Sequence, residues 1–370
     1  MKIGIVSEYY YPLLGGITEH VHFFSKELAR LGHDVTIITS NRRGKLDYPK
    51  NDDVEIIRLG RGVPYYSNGS FANITLGFGL KRKMREIMDS HKFDIVHIHS
   101  PSVPVLPALA HVTSKGPTVG TFHTYFEWNP LYAFYQRVAQ DAIENLDGRI
   151  AVSRLCVESL SKYFTADFKV IPNGVDIDYF ATPRGCLGKF DDGKINILFL
   201  ARLDPRNGLE CLIRAFRILH KKHKDTRLIV VGDGPLRWYF KTLVDHGIKG
   251  DVHFEGFANG IRPEYFAASD IFCFPVQKAS FGITILEAMA ASKPIVCSDL
   301  SAFHDILGGD GRYIDPYDEH DLAEKLTELV ENESLRRELG EKGRQRVDRY
   351  SWKNVTQEVL GFYGEILKQT

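Results

Sequence analysis

The sequence predicts an α/β protein made of two doubly wound domains, each a parallel sheet covered by helices on both faces. Three observations carry this. Short apolar strands alternate with amphipathic helices, the pattern restarts after a stretch rich in glycine, proline and aspartate, and 370 residues suffice for two ordinary cores. A composition of 44% hydrophobic and 25% charged residues belongs to a globular chain, not a disordered one.

The first strand comes from Ile3, Ile5 and Val6, and its loop ends in Gly15-Gly16. A helix follows with Val21, Phe24, Leu28 and Leu31 on one face, stopped by Gly32. "DVTIITS" (Asp34 to Ser40), "FDIVHIHS" (Phe93 to Ser100) and "TVGTFHT" (Thr118 to Thr124) are the next strands. Leu80 to Lys92 reads as a helix with Lys81, Arg82, Lys83 and Arg85 clustered and Leu80, Met84, Ile87 and Met88 apolar. The second half opens with a strand over Ile195 to Leu200, a polar loop, and a helix with Leu209, Leu212, Ile213, Phe216 and Leu219 in register. "RLIVVGDGP", "DVHFEGF", "DIFCFP" and "PIVCS" supply further strands. Ile171 to Lys194 is the connector, which sets the domains at 1–170 and 171–370. The last helix, about 351–370, is a candidate to cross back onto the first domain. In paired domains of this kind the carboxyl ends of the strands turn their loops toward a shared cleft.

Lysine plus arginine equals aspartate plus glutamate at 47 each, so no global field favours nucleic acid. Cys156, Cys186, Cys211, Cys273 and Cys297 are scattered without a Cys-x-x-Cys pair, which points to reduced thiols and away from a zinc site. No apolar run approaches the roughly eighteen residues of a spanning helix. The N-terminus meets Glu8 too soon for a signal-peptide core, so a cytoplasmic chain is expected.

The informative loops all follow strands. Gly15-Gly16 before a helix is either a plain turn or a place where the backbone approaches a phosphate. Arg202 and Arg206 in "ARLDPRNGL" have the planar fork that clamps phosphate oxygens. Ser280-Phe281-Gly282, with Ile283 and Thr284, offers another helix N-terminus, and the three anion sites together suggest a diphosphate. Glu287 lies in the apolar helix "GITILEAMAA", where a carboxylate is costly unless paired or bonded to a ligand such as a ribose diol. His97 and His99 share a strand face, and two histidines without a third ligand favour structural roles over a metal. His123, at a strand end, is the better candidate to touch a reacting sugar. No Asp-x-Asp pair sits at a strand end, so no metal site is expected. The basic helix is either an ordinary solvated helix or a contact for an anionic membrane surface.

In order along the chain, "YYPLLGGITEHV", "FDIVHIHSP", "GTFHT", "RIAVS", "VIPNGVD", "ARLDPRNGL", "VVGDGP" and "SFGITILEAMAASKPIV" resemble the retaining glycosyltransferases of family 4, which have two Rossmann-like domains (the GT-B type). Within that family the likeness runs to the phosphatidylinositol mannosyltransferases. The resemblance implies an N-terminal acceptor domain and a C-terminal nucleotide-sugar domain, with no permanent cofactor and a GDP- or UDP-linked sugar as co-substrate. Gly15 and Gly16 would approach the diphosphate, and Arg202 would neutralise it with help from the Ile283 and Thr284 amides. Glu287 would bond the ribose, the backbone near Phe257 would receive the base, and His123 would lie beside the donor sugar and the incoming hydroxyl. Lys81, Arg82, Lys83 and Arg85 would dock on the inner face of the cell membrane.

Two positions depart from the family pattern: Asn207 stands where lysine is common, and Ala279 where glutamate is common. A charge-assisted hydrogen bond is worth roughly 1.5–3 kcal/mol, so both losses uncompensated would remove several powers of ten in rate. Three readings stay open. The donor differs, Arg206 or Lys278 substitutes, or the protein binds a nucleotide sugar with weak or no catalysis. The activity implied is transfer of a hexose, mannose by resemblance, to a lipid such as phosphatidylinositol, with a soluble or polyprenyl-linked glycan acceptor as the alternative.

Overall fold

The computed structural model describes residues 1–13, 15–42, 52–67, 70–124, 140–183, 185, 187–258 and 260–369. Cys186 falls outside them. The chain divides into two compact units, Met1–Gly174 with Trp352–Thr370, and Val175–Ser351.

In the first unit the strands are β1 (Lys2–Ser7), β2 (Asp34–Ser40), β3 (Glu55–Leu59), β4 (Arg61–Ser67), β5 (Ser70–Leu76), β6 (Ile95–His99), β7 (Thr118–Phe122), β8 (Gly148–Ala151) and β9 (Lys169–Val170). Seven form one sheet in the order β3-β2-β1-β6-β7-β8-β9, and its pairs are parallel. β1, β2, β6 and β7 are continuous buried runs, as a sheet covered on both faces requires. Helix α1 (Gly16–Arg30) lays Val21, Phe24 and Leu28 on the core. The helix Trp352–Leu367 adds Trp352, Val355, Val359, Tyr363 and Ile366 to the same core. A Cβ at Gly174 would stand 2.5 Å from the Trp352 ring, so only glycine lets the chain pass beneath that indole.

The antiparallel hairpin β4–β5 has no counterpart in the sequence expectation. It is tied to the end of β1 through Glu8. Thr75 Oγ1 donates to Glu8 Oε2 at 2.6 Å, and Asn73 Nδ2 donates to the Glu8 carbonyl at 3.0 Å. Glu8 Oε1 accepts the Val105 and Leu106 amides at 2.8 and 2.9 Å, at the start of helix α3 (Leu106–Thr113). Burial nevertheless pushes this carboxyl above the usual range.

The second unit holds β10 (Ile195–Leu200), β11 (Thr226–Val231), β12 (Val252–Gly256), β13 (Ile271–Phe274), β14 (Ile295–Ser298) and β15 (Arg312–Ile314). They form a parallel sheet ordered β12-β11-β10-β13-β14-β15. The helix Leu209–Lys222 buries the five residues whose spacing predicts its face, Leu209, Leu212, Ile213, Phe216 and Leu219. In both sheets the strand order reverses beside the first strand, β1 or β10. Each unit therefore has the switch point at which doubly wound sheets present ligand-binding loops.

Candidate functional site

β6 in the first unit is too short and too deeply buried to leave its histidines in water. His97 and His99 point the same way and are 1% and 0% exposed. Both His97 nitrogens are engaged, Nδ1 with the Tyr363 hydroxyl and Nε2 with Thr121 Oγ1, each at 2.6 Å. His123, one residue past β7, puts Nε2 2.9 Å from His99 Nδ1. It also lines a small hollow with Ser100, Ser102, Thr124 and Leu160.

A fourth ring, which nothing in the sequence singled out, joins this group. His20 on α1 packs edge-on at 5.1 Å from His99 and 4.9 Å from His123, centroid to centroid. Its Nδ1 meets Asn173 Oδ1 at 2.7 Å. Helical spacing from Phe24 and Leu28 was the signal that put His20 on the buried face. Asn173 lies within the quoted "VIPNGVD", but nothing there names its partner. The expectation of two histidines without a third ligand is thereby amended, since ring nitrogens of His20, His99 and His123 lie within 4.8 Å of one another. Burial pushes His20 down to about 4 and His97 to about 3. Burial, and then the neighbouring histidines, hold His99 and His123 well below the imidazole range. Burial thus favours the neutral form of each ring, which can still give and accept hydrogen bonds.

Gly15 caps α1 with no side-chain hydrogen bond, and a Cβ there would meet nothing within 4 Å. Among the described residues nothing fills that position beside the first turn, whose N–H groups have no intrahelical partner.

In the second unit the loops after β10 and β13 are clamped together. Gln277 N–H donates to the Arg206 carbonyl at 2.8 Å. Gly208 has φ +76°, and a Cβ there would come 1.8 Å from the Pro275 oxygen, so no other residue allows that approach. The clamp brings Arg202, Arg206 and Asn207 to the same end of the sheet as Ala279 through Thr284. The helix Ile283–Ala290 starts at Gly282 with no side-chain cap, leaving its first amides at the positive end of the dipole. The half-buried Ala279 precedes it, while the Phe281 ring is buried against Tyr350 at 6.3 Å, so Phe281 offers only backbone outward.

Arg202 Nε donates to Asp204 Oδ2 at 2.9 Å, and its Nη2 bonds the same oxygen. Asn207 Nδ2 donates to the Arg202 carbonyl at 2.6 Å. Asn207 thus stiffens the loop where a lysine would add a charge. Glu287 is 1% exposed, so it does not face solvent, and its Oε1 accepts Arg262 Nη1 at 2.8 Å. A carboxylate offers several acceptor sites. Arg262 lies on the helix Arg262–Ala267, which follows the half-exposed Phe257. Only the need of a buried acid for a cation pointed toward such a partner, and nothing marked position 262.

Lys81, Arg82, Lys83 and Arg85 are exposed on helix α2 (Leu80–His91), whereas Leu80, Met84 and Met88 are buried in the unit's interior. Three of the four apolar residues that made this helix look amphipathic therefore face protein, and Ile87 is half-buried. Phe78, just before it, is 99% exposed and Leu76 is 53% exposed. Among the described residues, no helix is long and apolar enough to cross a membrane.

Residues 188–346 match the family model of glycosyl transferases group 1, and residues 14–179 match that of glycosyltransferase family 4. The chain is similar to phosphatidyl-myo-inositol mannosyltransferase of Mycobacterium tuberculosis strain H37Rv, 33% identical over 377 residues that span 98% of this chain and 96% of the relative. In fold it is similar to a glycosyltransferase from Rickettsia africae ESF-5, with TM-score 0.78 and 22% identity over 100% of both chains. It is also similar to Anabaena HepE solved in complex with UDP, with TM-score 0.77 and 18% identity over 99% of this chain and 100% of that one. Matched across nearly its whole length by a curated mannosyltransferase, and folded as two Rossmann-like domains, the chain belongs to the family 4, group 1 glycosyltransferases of the GT-B fold.

Proposed function

We propose that the protein moves a hexose, mannose by likeness to its relatives, from a GDP- or UDP-linked donor to a lipid acceptor such as phosphatidylinositol, keeping the anomeric configuration. The observation that carries the reading is the clamp in the second unit. It sets two arginines beside an uncapped helix N-terminus, with a buried glutamate one turn into that helix. Breaking the bond between sugar and nucleoside diphosphate leaves negative charge on the departing phosphate. Fixed amides and a guanidinium aimed at that charge lower the barrier. Arg202 is the main phosphate contact, reached by exchanging Asp204 for the diphosphate. Arg206 and the Ile283 and Thr284 amides assist it. Glu287, held by Arg262, accepts from the ribose, and the exposed Phe257 lies at the base. In the first unit, Gly15 and Gly16 approach the donor, and neutral His123 hydrogen-bonds the sugar or the acceptor oxygen.

The lipid acceptor is supported by the relatives' names, and UDP as one donor nucleotide by the ligand of the Anabaena protein. Four exposed basic residues beside a fully exposed phenylalanine suit a peripheral contact with an anionic bilayer. A radiolabelled transfer assay across GDP- and UDP-sugars, with phosphatidylinositol, polyprenyl phosphate and soluble glycans as acceptors, tests the reading. Labelled lipid supports it, and product only with soluble acceptors contradicts the lipid assignment. A second reading, a nucleotide-sugar-binding protein with weak or no catalysis, is favoured by Asn207, whose side chain serves the loop, and by Ala279. Binding without product under every condition would establish it.

A further inference from the structure

Between His99 and His123 there is one hydrogen bond and therefore one proton to place. The rings meet edge to edge, with centroids 5.3 Å apart, planes 24° apart, and Nδ1 of His99 2.9 Å from Nε2 of His123. Two ligands of a tetrahedral zinc, each about 2.0–2.1 Å from the ion, would stand about 3.3 Å apart, whereas 2.9 Å is hydrogen-bond spacing. Both rings are neutral, so each carries a single N–H.

Suppose His123 Nε2 were the donor. His99 would then hold its proton on Nε2, a buried atom to which the described residues offer no hydrogen-bond partner. A buried donor left without an acceptor is the rarer orphan in folded proteins. In the opposite arrangement His99 donates from Nδ1, and only a lone pair is left in the apolar surroundings. His20 does not supply the missing acceptor: its Nδ1 faces Asn173 Oδ1, and no hydrogen bond joins its ring to His99 Nε2.

We infer that His99 is a positioning residue: it donates from Nδ1 to His123 Nε2 and so fixes His123 as the Nδ1–H tautomer, a hydrogen-bond donor and not a general base. The inference rests on the transferase reading for its consequence but not for its test. With Nε2 occupied and its proton on Nδ1, His123 gives a hydrogen bond to a sugar or acceptor oxygen and takes no proton from the incoming hydroxyl. The orientation of that bond is then set one residue away, by a side chain that itself touches no substrate.

Long-range 1H–15N correlation on the full chain labelled at histidine tests the tautomer directly, with the His123 signals assigned by their loss in His123→Gln. We expect a protonated Nδ1 and an unprotonated Nε2 for His123. His123 found as Nε2–H would overturn the inference. So would one equivalent of copurified zinc that is lost in His20→Ala, because an ion would take the nitrogens assigned to the proton. For the consequence, His99→Phe should lower kcat roughly 10- to 100-fold while donor KM stays within about twofold. His99→Asn, whose amide donates from near the place of Nδ1, should recover much of that rate. Equal losses in both variants would contradict a positioning role. The pH profile of kcat/KM should show no limb that vanishes in His123→Gln, and such a limb would mark His123 as a base. Should His99→Phe not fold, the wild-type spectrum decides alone. Absence of transfer with every donor would sink the transferase reading while leaving the tautomer result standing.

Discussion

The two units are built on the same plan but load their strand ends with opposite chemistry. In the first, five histidines (His20, His22, His97, His99 and His123) are buried, and burial lowers every one of them. In the second, His220 alone among the described histidines is buried; the loops carry Arg202, Arg206 and Lys278 instead, and the helices after them the Arg262–Glu287 pair. A neutral hydrogen-bonding cluster suits uncharged hydroxyls, and fixed cations with free amides suit an anion. Under the proposed function, the first unit's chemistry suits the oxygens of sugar and acceptor, and the second unit's suits the charge of the leaving group.

Acid should break this symmetry most strongly. A histidine whose folded value lies below its unfolded value of about 6.5 lets the unfolded chain bind the proton first. Its contribution is complete above that pH and is lost as pH falls toward the folded value, about 4 for His20 and His22. The slope is about 1.4 kcal/mol per ring per pH unit, so several rings together remove several kcal/mol by pH 5. Glu8, raised by burial, pulls the other way with a single group. Hydrogen exchange corrected for its intrinsic rate should show the first unit opening between pH 6.5 and 5 while the second stays protected. Equal loss in both would contradict the contrast.

Next in size is Gly208→Ala, which forces a Cβ onto the Pro275 carbonyl at a left-handed φ. It should destabilise the second unit by about 3 kcal/mol and loosen nucleotide binding with it. Unchanged urea midpoints would mean the clamp does not exist. Glu287→Leu leaves Arg262 without its buried partner, and because that guanidinium is 22% exposed the expected cost is moderate, about 2 kcal/mol by thermal or urea unfolding. A neutral effect would show that the pair is dispensable.

The smallest effect on stability belongs to α2. Lys81→Glu with Lys83→Glu should shift stability by less than about 0.5 kcal/mol, since both side chains are exposed. The same change should abolish salt-sensitive sedimentation with vesicles of phosphatidylinositol and phosphatidylglycerol. Sedimentation unaffected by the reversal would remove the membrane contact from the account.

What the sequence made legible follows from range. Strands β1, β2, β6, β7 and β10 announce themselves as apolar runs, and the helix Leu209–Lys222 by its 3.6-residue spacing, because those signals are local. Arg202, the Gly282 helix start and His123 were readable as residue types at strand ends. The unread features all join distant positions. Arg262 reaches Glu287 across 25 residues, and Asn173 reaches His20 across 153. Glu8 ties down a hairpin 67 residues away. A buried polar group announces that it needs a partner, yet not which partner, so the chemistry of the site was visible before its wiring. In the basic helix the spacing of Met84 and Met88 marks an apolar face, but what that face packs against is not in the local pattern.

The measurement that tests the division of labour most directly is calorimetry of UDP and GDP on the wild type, Arg202→Ala and His123→Ala. Loss of one charge-assisted contact, roughly 1.5–3 kcal/mol, should weaken the preferred nucleotide about 10- to 100-fold in Arg202→Ala, whereas His123→Ala should leave its affinity within about twofold. Nucleotide affinity that survives Arg202→Ala but collapses in His123→Ala would place the anion on the histidine unit and contradict the account.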